Sequence, residues 1–389
     1  MTDHYSAALA TRIIFGCGGI EQLSDLAAPF GERAYLMIDP FLKGSALEMR
    51  IVEQLRSRGI ETRLWHDIVP NPRAESCDEA AADLLRFGAE LIVAIGGGST
   101  IDAAKAVALV ASNGGRAWDY TARANSEILV PSRRGLPLIA VPTNAGTGAE
   151  VTPYAVLSNQ QAKLKATIIH SFCQPDVALI DPVLHMTKPA RLTASTGVDT
   201  FLHAFEGYIG NRANGWADLF AEKAMELTLR WLPKACQNPT DITARSHLAE
   251  ACYMAGIALS NVGVGIPHAL GQALGALKDT PHGESCAAFL IATIDWTQPQ
   301  ASDRLAKAAR LFNPELVETS DDIAASRLAG LVADFFERIG MDTTLTRSLG
   351  AQEIDDLLRV AETNYGFDIA CSRKLAAYDD LKMIVRASL

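Results

Sequence analysis

The sequence predicts an N-terminal α/β domain built on a parallel sheet, residues 1–182, followed by an all-α domain, residues 183–389, with a functional cleft between them. Three observations predict this. Short uninterrupted apolar runs alternate with amphipathic stretches in the first half, the pattern of a parallel sheet buried on both faces. Past about residue 182 only helical periodicity remains. The chain has 389 residues, 49% hydrophobic and 21% charged, which suits a large core and about two or three domains.

The elements follow in order. AYLMID is a buried strand ending in Asp39, and residues 45–59 form an amphipathic helix stopped by a glycine. ETRLWH is a strand, and prolines 70 and 72 then break any helix. A helix over residues 77–88 leads into the buried strand AELIVAIGGGS, the helix TIDAAKAVALVAS and the strand LPLIAVPT. Residues 154–158 and 164–169 read as a hairpin around the polar turn NQQA, and DVALID closes the region. Helices then cover residues 217–232, 244–259, 302–312, 324–340 and 351–363, with no convincing strand among them.

Charge and cysteine content exclude several classes. Thirty-five basic against 45 acidic residues leave a net charge of −10, which argues against a nucleic-acid binder. Seven dispersed cysteines without a CxxC read as reduced cytosolic thiols. The N-terminus has no basic region followed by an apolar run, so the expectation is a cytoplasmic protein. Residues 251–277 carry no charge, yet they hold five glycines, Asn261, Pro267, His268 and Gln272. That stretch is expected to be buried in the helical domain, not to span a membrane.

Two loops and one acid can carry a nucleotide. In GGGSTIDAAK, glycines between a strand and a helix let the backbone approach an anion at the helix N-terminus. Ser99 can cap that helix or bond a phosphate oxygen. The turn matches neither GxGxxG nor a Walker loop. Asp39 at a strand end can accept from an adenosine ribose, or it can be a solvated turn acid. VPTNAGTGAEVT also follows a buried strand and offers hydroxyl and N–H groups, or is a plain small-residue loop.

A metal constellation is legible further on. Asp199 and His203 are four residues apart and share one helix face. His268 lies in the uncharged stretch, and His282 sits in a Pro-His-Gly turn that can aim the ring inward. One Asp and three His suit zinc or ferrous iron. Spacing alone equally allows a solvated acid and packed, hydrogen-bonded histidines.

Taken together, GGGSTIDAAK, PTNAGTGAEVT, the Lys165 region, ALIDP, TASTGVDTFLHAFEGY, GIPHALGQALG and TPHG resemble the iron-containing (group III) alcohol dehydrogenase family, in order and in spacing. The resemblance implies an N-terminal NAD-binding domain, a helical domain, and an active site in the cleft. It implies that Asp199, His203, His268 and His282 hold a divalent ion, Fe2+ or Zn2+, through which they act in catalysis. Gly97, Gly98 and Ser99 would hold the NAD pyrophosphate. Asn71, Thr143, Asn144, Thr152 and Lys165 fall on other cofactor positions, and Asp39 on the position that favours NAD over NADP. Tyr154 and Leu259 fall on the substrate pocket. The first strand, near residues 11–15, would pair across a homodimer or higher homo-oligomer.

The implied reaction is hydride transfer between a small metal-bound alcohol and nicotinamide, run in either direction as alcohol dehydrogenase or as aldehyde or ketone reductase. Four departures from the family pattern gather near the substrate. Gln272 replaces a frequent histidine and cannot act as acid or base. Thr143-Asn144 replaces a Thr-Thr pair, Ala149 a serine, and Cys371-Ser372-Arg373 an Asn-Pro-Arg. Pro267 before His268 is also unusual. Alternatives are a dehydroquinate-synthase-like NAD- and metal-dependent cyclase, a maleylacetate-reductase-like enzyme, and a non-catalytic binder. Retention of all four ligands and the uncharged run around His268 favour the dehydrogenase.

Overall fold

The computed structural model describes residues 4–124, 126–162 and 164–389, so the first three residues of the N-terminal segment lie outside it. The chain divides into two compact units, one of residues 9–144 and 148–186, the other of residues up to 8, 145–147 and 187–389.

The first unit is built on a six-stranded, wholly parallel sheet. Its strands are β1 (Arg12–Phe15), β2 (Arg33–Ile38), β3 (Glu61–Trp65), β4 (Leu91–Gly96), β6 (Leu138–Pro142) and β9 (Val177–Ile180), in the order β1-β9-β6-β4-β2-β3. A small antiparallel sheet joins β5 (Thr121–Ala122), β8 (Leu164–Ile169) and β7 (Tyr154–Asn159). Side chains alternate across the main sheet. Leu36, Val93 and Ile139 pack on the face covered by α1 (Leu23–Ala27) and α2 (Ala46–Ser57). Tyr35, Ala94 and Ala140 pack on the face covered by α3 (Ala74–Phe87) and α4 (Gly98–Asn113). Both faces are dry, which is why these strands read as continuous apolar runs.

Two details differ from the sequence reading. Helix α3 begins at Ala74, not residue 77, directly after the extended N-cap residue Arg73. Strand β5 was not anticipated. Two residues carry no periodicity, and pairing with β8 makes them a strand.

The second unit is helical. It contains α5 (Ala190–Ile209), α6 (Gly215–Gln237), α7 (Ile242–Val262), α8 (Ile266–Lys278), α9 (His282–Phe312), α10 (Asp321–Ile339), α11 (Ala351–Ala370) and α12 (Tyr378–Ala387). Phe201, Phe205, Phe312 and Phe335 form an aromatic cluster at its centre. Helix α11 runs past the expected residue 363 through a kink at Tyr365, and α12 adds a turn pattern of Leu381, Ile384 and Val385 that the sequence reading passed over.

The uncharged stretch folds as the second half of α7 and α8 up to Leu277, two helices bent by 101° at the break between them. Gly263 makes the break in a left-handed conformation, φ 79°, that other residues rarely adopt. No single helix among the described residues is long and apolar enough to cross a membrane. Pro267 sits in the first turn of α8, where a missing N–H costs no hydrogen bond.

Candidate metal centre and nucleotide-binding turn

Helix α5 supplies the first two candidate ligands. Every residue of α5 from Gly197 to Ile209 is buried, so Asp199 and His203 project from a helix with no solvent face along this length. His268 is the third residue of α8. His282 is not in a turn, as the Pro-His-Gly sequence suggested. It is the first residue of α9, and Pro281, at the N-cap, starts the helix there.

These four residues come together. One donor atom from each of Asp199, His203, His268 and His282 lies within 4.8 Å of the other three. Nε2 of His203, His268 and His282 stand 3.7, 3.4 and 3.4 Å from Asp199 Oδ1. Asp199 Oδ1 and His268 Nε2 are fully buried yet find no hydrogen-bond partner among the described residues. Buried polar atoms are ordinarily satisfied, so converging orphans of this chemistry fit a divalent cation. Asp199, His203 and His268 are buried, while His282 remains partly accessible.

Burial and neighbouring charge set the protonation of these groups. Burial opposes charge on Asp199, but the surrounding histidines, His203 foremost, hold its carboxyl below the usual carboxylate range. Burial pushes the His203 ring down to about 4 against the pull of Asp199, which suits a neutral ligand. Burial works the same way on His268, yet the Glu206 and Asp199 carboxylates together outweigh it and the ring is pushed up to about 10, so an ion at Nε2 takes the place of a proton.

Sequence reasoning assigned no role to Glu206, although it lies within the matched stretch TASTGVDTFLHAFEGY. Its Oε1 is 2.6 Å from His268 Nδ1, and its Oε2 accepts from Gly265 N–H at 2.7 Å and His268 N–H at 3.3 Å. A second acid on an apolar helix was the available signal, since a buried carboxylate demands partners.

Gln272 lies one turn beyond His268 on α8. Its Nε2 donates to Asp368 Oδ2 on α11 at 3.4 Å. Burial pushes Asp368 up to about 7, with His268 and Gln272 opposing and Glu206 adding to the rise. Leu259 is buried in α7.

The nucleotide candidates belong to the first unit. Gly97 is the N-cap of α4, which no side chain caps, and Gly98 and Ser99 form its first turn. Ser99 therefore does not cap the helix. Its Oγ accepts instead from Asn71 N–H at 3.3 Å, and Asn71 holds a left-handed backbone with φ 56°. A Cβ on Gly97 would lie 3.3 Å from the Asn144 amide, so the turn faces that side chain closely. Thr143 donates its N–H to Gly96 O, and its buried hydroxyl has no hydrogen-bond partner among the described residues. An uncapped helix start with an orphaned hydroxyl beside it fits a phosphate-bearing ligand. Asp39 directly follows β2 and accepts from Phe41 N–H at 3.0 Å, which holds it at the strand end.

Thr152, Tyr154 and Lys165 are placed differently. Thr152 Oγ1 and Tyr154 O accept from the fully buried Lys105 Nζ at 3.1 and 2.6 Å. Lys105 also lies 3.7 Å from Asp102, whose Oδ2 accepts from Val156 N–H. This pair pins the small sheet to α4, a role the sequence reading did not give to GGGSTIDAAK. Lys165 is half-buried in β8, opposite Ser158.

One carboxylate and three imidazoles gathered by helices of the second unit make a centre able to hold a divalent ion, and the parallel-sheet unit carries the uncapped glycine-rich turn. Residues 10–182 match the family model for iron-containing alcohol dehydrogenase, and residues 193–375 match the C-terminal model of the Fe-containing alcohol dehydrogenase family. NAD-dependent methanol dehydrogenase of Bacillus methanolicus is 31% identical over 388 residues, covering 97% of each chain. The 1,3-propanediol dehydrogenase of Klebsiella pneumoniae is 33% identical over 84% of this chain and 83% of its own. Among solved structures, an archaeal halo-thermophilic alcohol dehydrogenase from a Red Sea brine pool superposes with a TM-score of 0.94 at 27% identity, covering 100% of both chains. The chain belongs to the iron-containing alcohol dehydrogenase family.

Proposed function

We propose that this protein is an NAD-dependent, divalent-metal-dependent dehydrogenase of small alcohols and diols that also reduces the matching aldehydes and ketones. The observation that carries the reading is the convergence of Asp199, His203, His268 and His282 within 4.8 Å, with buried donor atoms left unsatisfied. When bound, the ion lowers the pKa of a substrate hydroxyl, and nicotinamide exchanges hydride with the carbon bearing it. The chain's own residues do the rest. Asp199 and the three histidines hold the ion, and burial of three of these four keeps competing water away. Gly97, Gly98 and Ser99 receive the pyrophosphate at the start of α4, beside Asn71, Thr143 and Asn144. Thr152 and Lys165 complete the cofactor's surroundings, and Asp39 favours a ribose hydroxyl over a 2′-phosphate. Tyr154, Leu259 and Gln272 shape the substrate's surroundings.

Small substrates are supported by the names of relatives, a methanol and a 1,3-propanediol dehydrogenase. A homodimer is supported by β1, an edge strand of the main sheet whose Phe15 is exposed. A cytoplasmic location is supported by seven cysteines present as thiols. Iron is the metal expected in the cell, with zinc as a competent substitute.

The test is absorbance at 340 nm with metal-stripped protein refilled with Fe2+ or Zn2+. NADH with small carbonyls, and NAD with alcohols and diols, should turn over only with metal present. His268→Ala should lower activity by at least about 100-fold, as loss of a metal ligand does. Phosphate release without net NADH change would instead identify a cyclase.

A further inference from the structure

Helix α8 begins under unusual constraints. Its N-cap, Gly265, has no side chain to satisfy the helix's opening N–H groups, and Pro267 brings no N–H at all. The missing cap comes from another helix. Glu206 of α5 accepts from Gly265 N–H at 2.7 Å and from His268 N–H at 3.3 Å with one carboxylate oxygen. A negative charge at this position is also favoured by the helix dipole.

The other oxygen of the same carboxylate lies 2.6 Å from His268 Nδ1. With Nδ1–H donating to Glu206, Nε2 is the ring nitrogen left to serve an ion. Nε2 is the atom 3.4 Å from Asp199 Oδ1 that finds no hydrogen-bond partner among the described residues. Both carboxylates are buried, and together their two negative charges balance those of a divalent ion.

We propose that Glu206 is the positioning residue of the metal centre: one carboxylate caps α8 and fixes the tautomer and direction of His268, so that Nε2 is presented to the ion before it arrives. The inference rests on the metal-centre reading proposed above. Glutamine at this position keeps the volume but offers one acceptor oxygen where three N–H groups converge, so its NH2 would face either the backbone donors or His268 Nδ1.

The test compares zinc affinity, by competition with a chromophoric chelator, for full-length wild type, Glu206→Gln and Glu353→Gln. Glu353 pairs with Lys278 on the exposed surface and serves as the control. Glu206→Gln should bind zinc about 10- to 100-fold more weakly, and Glu353→Gln as tightly as wild type. In zinc-loaded wild type with 15N-labelled histidine, His268 should show a protonated Nδ1 and a zinc-bound Nε2. That measurement decides the question if Glu206→Gln fails to fold. Equal affinity for wild type and Glu206→Gln, an equal loss in Glu353→Gln, or zinc on Nδ1 of His268 would overturn the positioning role while leaving the metal centre intact. Failure of wild type to bind zinc or iron would overturn the metal centre and this inference with it.

Discussion

Asp83 links charge to fold outside the metal centre. It lies on α3, and its carboxylate accepts from Arg63 at 3.0 and 3.1 Å, from the Tyr35 hydroxyl at 3.1 Å and from Arg86 at 3.2 Å. The Arg63 hydrogen bonds hold its pKa below the usual range despite burial. A carboxyl depressed on folding contributes stability above its unfolded pKa, near 4, that is lost as pH falls through the folded value. Asp83→Asn should therefore lower Tm by a few degrees at pH 7, and the gap should close as pH falls below about 4. Thermal melts at several pH values check this, and a gap that persists unchanged in acid would rule out charge as its source. At the same scale Gln272 shows what one substitution leaves behind. The family histidine is absent, and the structure pairs the glutamine with the partly buried acid Asp368.

Helix contacts explain why particular glycines stand where they do. A Cβ on Gly271 of α8 would fall 2.7 Å from the backbone N and Cα of Cys286 on α9 and 2.6 Å from its Sγ. Backbone cannot yield as a side-chain tip can, so the two helices would have to separate. Gly271→Ala should cost about 1–3 kcal/mol by overpacking. It should also weaken zinc binding, since α8 carries His268 and α9 carries His282. Gly330 on α10 is exposed and meets nothing within 4 Å. Gly330→Ala should stabilise by about 1 kcal/mol through helix propensity alone. Urea denaturation of the two variants separates these effects, and stabilisation by both would mean that α8 and α9 are not in close contact.

For the whole molecule, the two proposed ligands use different units. The metal donors all lie in the helical unit, and the glycine-rich turn lies in the parallel-sheet unit. Chelation should abolish turnover yet leave NADH binding, followed by fluorescence, within about tenfold, because no nucleotide contact is lost. Readdition of zinc at about 100 times its Kd should raise stability by about 2.7 kcal/mol. Loss of NADH binding on chelation would show that the sites are energetically coupled.

Fold class was legible because burial leaves a periodic trace: strands dry on both faces read as apolar runs, and packed helices read with period 3.6. The spacing of Asp199 and His203 was equally legible, since one helix turn is a local property. Motif order identified the family, whereas each motif alone left a packing role open. The tertiary structure decided that His268 and His282, on two further helices, meet that pair. It also decided that Glu206 serves His268, that Lys105 secures the small sheet, and that Ser99 answers to Asn71 and does not cap α4. Sequence records what each residue needs, because local periodicity and burial are written in composition. Which distant partner meets the need depends on helix ends and strand registers that only the assembled chain brings together.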